Sequence, residues 1–247
     1  MARITVQIYE IQNPWEAERL IELGVDHLGS VILSAKDWKV PLIQEVVRLT
    51  KGTPIKNSVI PLFNTPETVL RLLEYYSPDI IHFCETLTDE DGKAISYNHL
   101  INLQHAVRNQ FPNIKIMRSI PIGISGKPNG VPTLEIAKDF EPISDYFLTD
   151  TWLGKEPVEG FIGITGKTCD WDVARELIQA SSIPVFLAGG MSPENVCEGV
   201  KEVRPFGVDS CTNTNATDGN GKPIRFKKDF NKVKKFVEEA QRAITKS

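Results

Sequence analysis

Apolar positions along this chain keep two rhythms. Short apolar runs rich in Val, Ile and Phe alternate with longer stretches in which apolar residues return every three or four positions. The first rhythm predicts buried strands and the second amphipathic helices. Ile4, Val6 and Ile8 alternate with polar residues and mark a first strand, and Asn13-Pro14 opens a helix that Gly24 ends. Strands are then expected at 25–33, 58–63, 79–84, 114–120, 144–149, 183–187 and 206–209. The matching helices fall at 40–49, 65–76, 97–111, 133–140, 171–180, 193–203 and 230–244. Such alternation implies parallel strands. Eight repeats in 247 residues, with no Pro/Gly/Ser linker, favour an α/β protein forming one (β/α)8 TIM barrel domain over residues 1–247. No G-x-G-x-x-G follows the first strand, which weakens the open dinucleotide-binding alternative.

The seventh repeat is the most informative. Residues 183–195 read IPVFLAGGMSPEN, a strand followed at once by Gly189 and Gly190. Ser192 as N-cap, Pro193 at the first helical position and Glu194 in the first turn then predict a fresh helix. Two glycines before a helix N-terminus expose backbone N–H groups that suit a phosphate, and barrels usually bind phosphate at the loops after strands seven and eight. The bland alternative is a tight left-handed turn.

Composition narrows the field of functions. A net charge of −4 argues against a nucleic-acid binder, and the lysines at 227–235 read as the solvated face of the last helix. No apolar run is long enough for a membrane helix, and the chain enters its first strand without a signal-like segment. Four cysteines, Cys84, Cys169, Cys197 and Cys211, lack metal-ligand spacing, so free thiols in a reducing cytoplasm are expected, without metal or cofactor. Asp89-Glu90-Asp91-Gly92 is similar in composition to a calcium loop but lacks ligands at the first and twelfth positions. Residues 123–132 are expected to form an irregular crossover rather than a lid.

Candidate chemistry lies at the strand ends. These carry Tyr9-Glu10, Ser34-Ala35-Lys36-Asp37, His82-Phe83-Cys84-Glu85, Arg118, Asp150-Thr151 and Asp209-Ser210-Cys211-Thr212-Asn213. Period-two alternation sets Tyr9, Cys84 and Asp150 at the barrel mouth. Taken singly, each has an ordinary reading: a turn aspartate at 150, a hydrogen-bonded structural histidine at 82, a small core thiol at 84.

Together, these segments carry a resemblance. LAGGMSPENV at 187–196 is very similar to the strand-seven signature of the phosphoribosylanthranilate isomerase family, (β/α)8 enzymes of tryptophan biosynthesis. Leu148-Thr149-Asp150-Thr151 resembles the family's LLDT, residues 163–171 (GITGKTCDW) its GGTGxxFDW, and Gly207-Val208-Asp209 the start of its GVDVSSGVE. The resemblance implies a cofactor-free Amadori rearrangement of an aldosylamine to an aminoketose, on a small phosphorylated sugar, by a monomer or homodimer. It implies Asp150 as the general acid and Gly189, Gly190, Cys211, Thr212 and Asn213 as the phosphate cradle.

The first half departs from the pattern. The family's KICGIT becomes Gln7-Ile8-Tyr9-Glu10-Ile11-Gln12, so Tyr9 stands where the catalytic cysteine is expected. Lys36 replaces the arginine of SPR, keeping charge but losing the bidentate fork. QLHG becomes His82-Phe83-Cys84-Glu85. Lys36, His82 and Arg118 are the expected substrate-binding residues, with Asp150, Cys84 and Tyr9 as the catalytic set. Within it, Cys84 offers a relocated thiol base whose proton His82 would draw off. Two functions stay open: an isomerase of a phosphoribosylamine with an altered base, or a non-catalytic or repurposed phosphosugar-binding barrel.

Overall fold

A computed structural model describes residues 3–126 and 130–245. Eight parallel strands close into a barrel: β1 (Thr5–Ile8), β2 (His27–Ile32), β3 (Lys56–Pro61), β4 (Ile80–Phe83), β5 (Lys115–Ile122), β6 (Tyr146–Thr151), β7 (Val185–Leu187) and β8 (Gly207–Ser210). The helices that return the chain are α1 (Pro14–Glu22), α2 (Pro41–Thr50), α3 (Pro66–Tyr76), α4 (Asn98–Gln110), α5 (Thr133–Phe140), α6 (Trp171–Ala180), α7 (Val196–Val203) and α8 (Phe230–Thr245). The barrel closes where Gln7 of β1 pairs with Asp209 of β8. The expected α/β barrel is therefore the fold observed.

The period-two pattern sorts the strands into two faces. In β1, Val6 and Ile8 join the apolar layer beneath the helices, with Ala17 and Leu20 of α1 and Phe236 and Ala240 of α8. Gln7 and Tyr9 point the other way, into the barrel. A second interior cluster joins Tyr9, Val31, Ile60, Met117, Leu148 and Phe186 from six strands. The interior also holds polar groups, and these are paired: Gln7 donates to Asp209 Oδ1 at 3.2 Å, and His27 Nδ1 lies 3.3 Å from Gln7 Oε1.

Three local expectations are corrected. α7 starts at Val196, not at Pro193. Ser192 caps a turn instead, accepting from Glu194 N at 3.2 Å while its own N–H donates to Asn195 Oδ1 at 2.8 Å. β6 runs on to Thr151, so Asp150 is a strand residue and not a turn aspartate. Finally, the segment after β8 holds an antiparallel hairpin of β9 (Asn215–Thr217) and β10 (Pro223–Lys228), where no strand is expected from sequence. The centre of the expected 123–132 crossover, 127–129, lies outside the described residues.

Candidate active site

A cavity opens at the C-terminal ends of the strands, where a barrel keeps its chemistry. Its floor is built by alternate strand residues. Leu148 of β6 pairs with Phe186 of β7, and Leu187 pairs with Val208 of β8. Carrying that register up two residues and one residue sets Asp150, Ala188 and Asp209 in one layer, with small Ala188 between two carboxylates.

Asp150 lies where its strand extension delivers it. Gly163 of the following loop packs so close that a Cβ there would sit 2.6 Å from Asp150 Oδ2. Burial foremost, then the Asp209 charge and Glu156, push the Asp150 carboxyl up to about 8, against hydrogen bonds from Thr151 N and the Ser119 hydroxyl. Asp209 is raised by burial to about 7, held back by the Gln7 hydrogen bond and the Lys228 charge. Both carboxyls are therefore raised toward neutrality, Asp150 the more, so near neutral pH the pair shares a proton that Asp150 holds preferentially.

A hydrogen-bonded chain crosses the barrel mouth. Tyr9 Oη lies 2.6 Å from Ser58 Oγ and 2.7 Å from His82 Nδ1, and His82 Nε2 lies 2.9 Å from Ser119 Oγ. Burial, with Arg118 nearby, lowers His82 to about 3, so the ring is neutral. One tautomer satisfies the whole chain: Nε2–H donates to Ser119 and Nδ1 accepts from Tyr9. Gly29 makes the arrangement possible, since a Cβ there would sit 2.1 Å from the Tyr9 ring.

The expected catalytic set divides accordingly. Tyr9, Cys84 and Asp150 all line the cavity. Burial raises Tyr9 well above its ordinary value, opposed by its Ser58 hydrogen bond and reinforced by Asp209. Burial, Glu85 and Asp150 raise the Cys84 thiol likewise. Neither group gives up its proton at neutral pH. His82 cannot draw one from Cys84, because both its ring nitrogens are engaged by Tyr9 and Ser119.

Of the expected substrate-binding residues, only His82 lines the cavity. Arg118 faces outward from β5, fully buried between barrel and helices. There it donates from NH1 to Glu85 Oε2 at 2.6 Å and from Nε to Gln104 Oε1 at 2.8 Å, with its guanidinium over the Phe140 ring. An even-numbered β5 residue stands on the opposite face from Met117 and Ser119, which is why it misses the site. Lys36 is exposed in the loop after β2, away from the cavity.

The expected phosphate residues come together. Gly189 and Gly190 have φ of 79° and 66°, a region favouring glycine, and a Cβ on Gly190 would sit 2.3 Å from Lys167 C. Asn213 Nδ2 donates to Gly190 O at 2.9 Å, tying the loops after β7 and β8. Among the described residues, the N–H groups of Gly189, Gly190 and Met191 donate to no other group. Thr212 and Asn213 sit in a short 3-10 turn at the same edge. Cys211 stands deeper, its thiol raised chiefly by burial.

The loop after β6 roofs the cavity. Phe161 bridges to Glu85, and Ile162 N donates to Cys84 O at 2.8 Å. Ile164 has a φ of 61°, costly for a β-branched residue and located at the cavity wall. On the opposite side, Glu10, with φ 66°, ties the β9–β10 hairpin to the mouth. It accepts from Arg225 Nε at 2.6 Å and Asn215 Nδ2 at 3.0 Å. Burial works against its charge, yet these bonds and Lys228 hold its carboxyl below the usual value.

Ser58 and Ser119 carry no signal in the sequence, whereas Glu10 and Asp209 stand among its strand-end candidates without an assigned role. The available clue was the polar alternation of β1 and β8, which places Gln7 and Asp209 in the interior. Among the described residues, no group of three or more His, Cys, Asp or Glu side chains is arranged to hold a metal, and no helix is long and apolar enough to cross a membrane.

The family model and similar curated relatives agree. Residues 102–239 match the family model of N-(5'phosphoribosyl)anthranilate (PRA) isomerase. An N-(5'-phosphoribosyl)anthranilate isomerase of Methanocella arvoryzae is 34% identical over 139 residues, covering 56% of this chain and 56% of that protein. In this match the chain spans about half the relative's length. A namesake from Methanosarcina acetivorans is 26% identical over 239 residues, covering 96% of this chain and 92% of that protein. The crystal structure of phosphoribosyl anthranilate isomerase in complex with reduced 1-(o-carboxyphenylamino)-1-deoxyribulose 5-phosphate superposes with a TM-score of 0.65. It is 20% identical and covers 96% of this chain and 98% of the other, a likeness of fold.

Proposed function

Because the chain belongs to the N-(5'-phosphoribosyl)anthranilate isomerase family, we propose that it isomerises a phosphoribosylated amine, N-(5'-phosphoribosyl)anthranilate, to the aminoketose phosphate. The observation that carries this reading is the placement of Asp150 at the cavity wall, one strand across from Asp209 and beside a glycine-lined anion cradle, where burial raises its carboxyl. A general acid must hold its proton at working pH, and burial gives Asp150 that property.

The 5'-phosphate lies against the Gly189-Gly190 turn and the Thr212-Asn213 edge, where free backbone N–H groups take up its charge. This anchors the sugar with its ring toward the two carboxyls. Asp150 then protonates the ring oxygen, the C1'–O bond breaks, and the nitrogen lone pair forms the iminium. A base removes the C2' proton, whose electrons form the C1'–C2' double bond of an enolamine. Collapse of that enol to the C2' ketone puts a proton on C1', and atoms and charge balance without redox chemistry. The loop after β6 shields these steps from water, which protects the imine from hydrolysis.

Turnover is measured by following product fluorescence after adding N-(5'-phosphoribosyl)anthranilate, wild type beside Asp150→Asn. Turnover by wild type and its loss in the variant support the reading. A phosphosugar that binds but is never converted by wild type favours the repurposed binding barrel.

A further inference from the structure

We propose that Asp209 is the general base of this rearrangement, taking the sugar C2' proton in place of the thiol that Tyr9 displaces. The assignment rests on the isomerase reading of the site and adds the missing half of its acid–base pair.

The position of β1 is closed to a base. The Tyr9 ring lies across Gly29, and its hydroxyl is fixed between Ser58 and His82. Cys84 is buried and Cys211 half-buried, and both thiols are raised and keep their protons. Glu10 lines the cavity, but its two oxygens are committed to Arg225, Asn215 and Phe226 N. Asp209 remains, and it has the geometry. It faces the cavity from β8, in the layer that also holds Asp150, with only the methyl of Ala188 between the two strands at that level. Gln7 holds one oxygen, Oδ1, from β1 at 3.2 Å.

The charges around Asp209 keep this role open. Lys228 of β10 is buried, donates to Cys211 O at 2.9 Å and favours the ionised carboxylate. From β6, Asp150 is protonated and adds little opposing charge in that state. Tyr9 of β1 and His82 of β4 are neutral, as is His27 of β2, which burial lowers to about 4. Asp209 is thus the member of the pair that ionises more readily, and burial makes its carboxylate basic enough to abstract a carbon-bound proton. The proton account closes between them. Each turnover moves one proton from Asp150 to the ring oxygen and one from C2' to Asp209, and transfer from Asp209 back to Asp150 resets the site.

The test compares Asp209→Asn, Asp209→Glu, Tyr9→Phe and Cys84→Ser on N-(5'-phosphoribosyl)anthranilate, with and without deuterium at C2'. The expected result for Asp209→Asn is a loss of kcat on the order of 10²–10⁴-fold at nearly unchanged KM, and loss of the ascending limb of the pH profile. Asp209→Glu restores part of the rate with a larger isotope effect, while Tyr9→Phe and Cys84→Ser lose less than Asp209→Asn. Retention of kcat in Asp209→Asn, or a larger loss in either Tyr9→Phe or Cys84→Ser, overturns the proposal. A carboxyl carbon-13 titration needs no substrate and separates the two readings. Asp209 titrating near neutrality, and Asp150 titrating lower in Asp209→Asn, supports the pair even if this substrate is not turned over. An Asp209 that titrates as an ordinary surface carboxylate overturns it even if wild type is active.

Discussion

Two charged strand residues, both singled out by the sequence, do opposite things. Arg118 and Asp150 both sit on strands, yet one faces the helices and the other the cavity, because alternation turns on a single residue. Arg118→Ala leaves Glu85 buried and unpaired. It is expected to cost about 3–5 kcal/mol in urea unfolding, while KM of the folded fraction stays at its wild-type value. Asp150→Asn is expected to do the reverse: kcat falls on the order of 10²–10⁴-fold, and calorimetric affinity for ribose 5-phosphate changes little. Equal losses of binding and turnover would make Asp150 a structural residue. The sequence brought Asp150 and Asp209 forward through their motifs, but not the pairing between them. What distinguishes Asp209 is its neighbours, Gln7 and Lys228, which lie about 200 residues and one hairpin away along the chain.

At the scale of elements, helices were legible almost to the residue where an amphipathic stripe and a clear stop coincided, as in α5 and α6. α7 was read too early, because Ser192, Pro193 and Glu194 satisfy the rules for a helix start while Asn195 closes them into a turn. The β9–β10 hairpin left no pattern at all: its strands are short, mostly exposed and polar, and are held by Glu10 from far along the chain. The roof loop depends on close approach, which sequence does not reveal. Gly163→Ala puts a methyl group 2.6 Å from the Asp150 carboxylate and is expected to lower kcat/KM sharply, measured beside the melting temperature. A variant with wild-type kcat/KM would mean that the loop stands farther from the acid than described.

The whole molecule carries its acid–base pair as a pH signature. Two carboxyls hold protons in the folded state up to about 8 and about 7, whereas unfolded aspartates are ionised well below that. Two histidines, lowered to about 4 and about 3, stay neutral where unfolded histidine binds a proton. Below pH 6.5 these effects oppose each other, because the histidines favour folding at higher pH and the carboxyls at lower pH. From pH 6.5 to 8 the unfolded histidines give up their remaining protons, and the folded carboxyls bind the larger excess. Stability is therefore expected to fall across that window, and urea midpoints of Asp150→Asn should fall less steeply than those of wild type. The barrel and the double-glycine turn at its mouth were readable from the repeat and the motif, because both are local patterns. The proton balance belongs to side chains converging from β1, β4, β5, β6 and β8, and only the closed fold brings them together. The most direct measurement is the product of N-(5'-phosphoribosyl)anthranilate incubated with the protein, analysed by mass and by proton NMR in deuterated water. The account predicts a product that keeps every heavy atom of the substrate, carries a ketone at C2' and has lost the original C2' proton to solvent. Unchanged substrate, or anthranilate released with ribose 5-phosphate above the rate without protein, would contradict it.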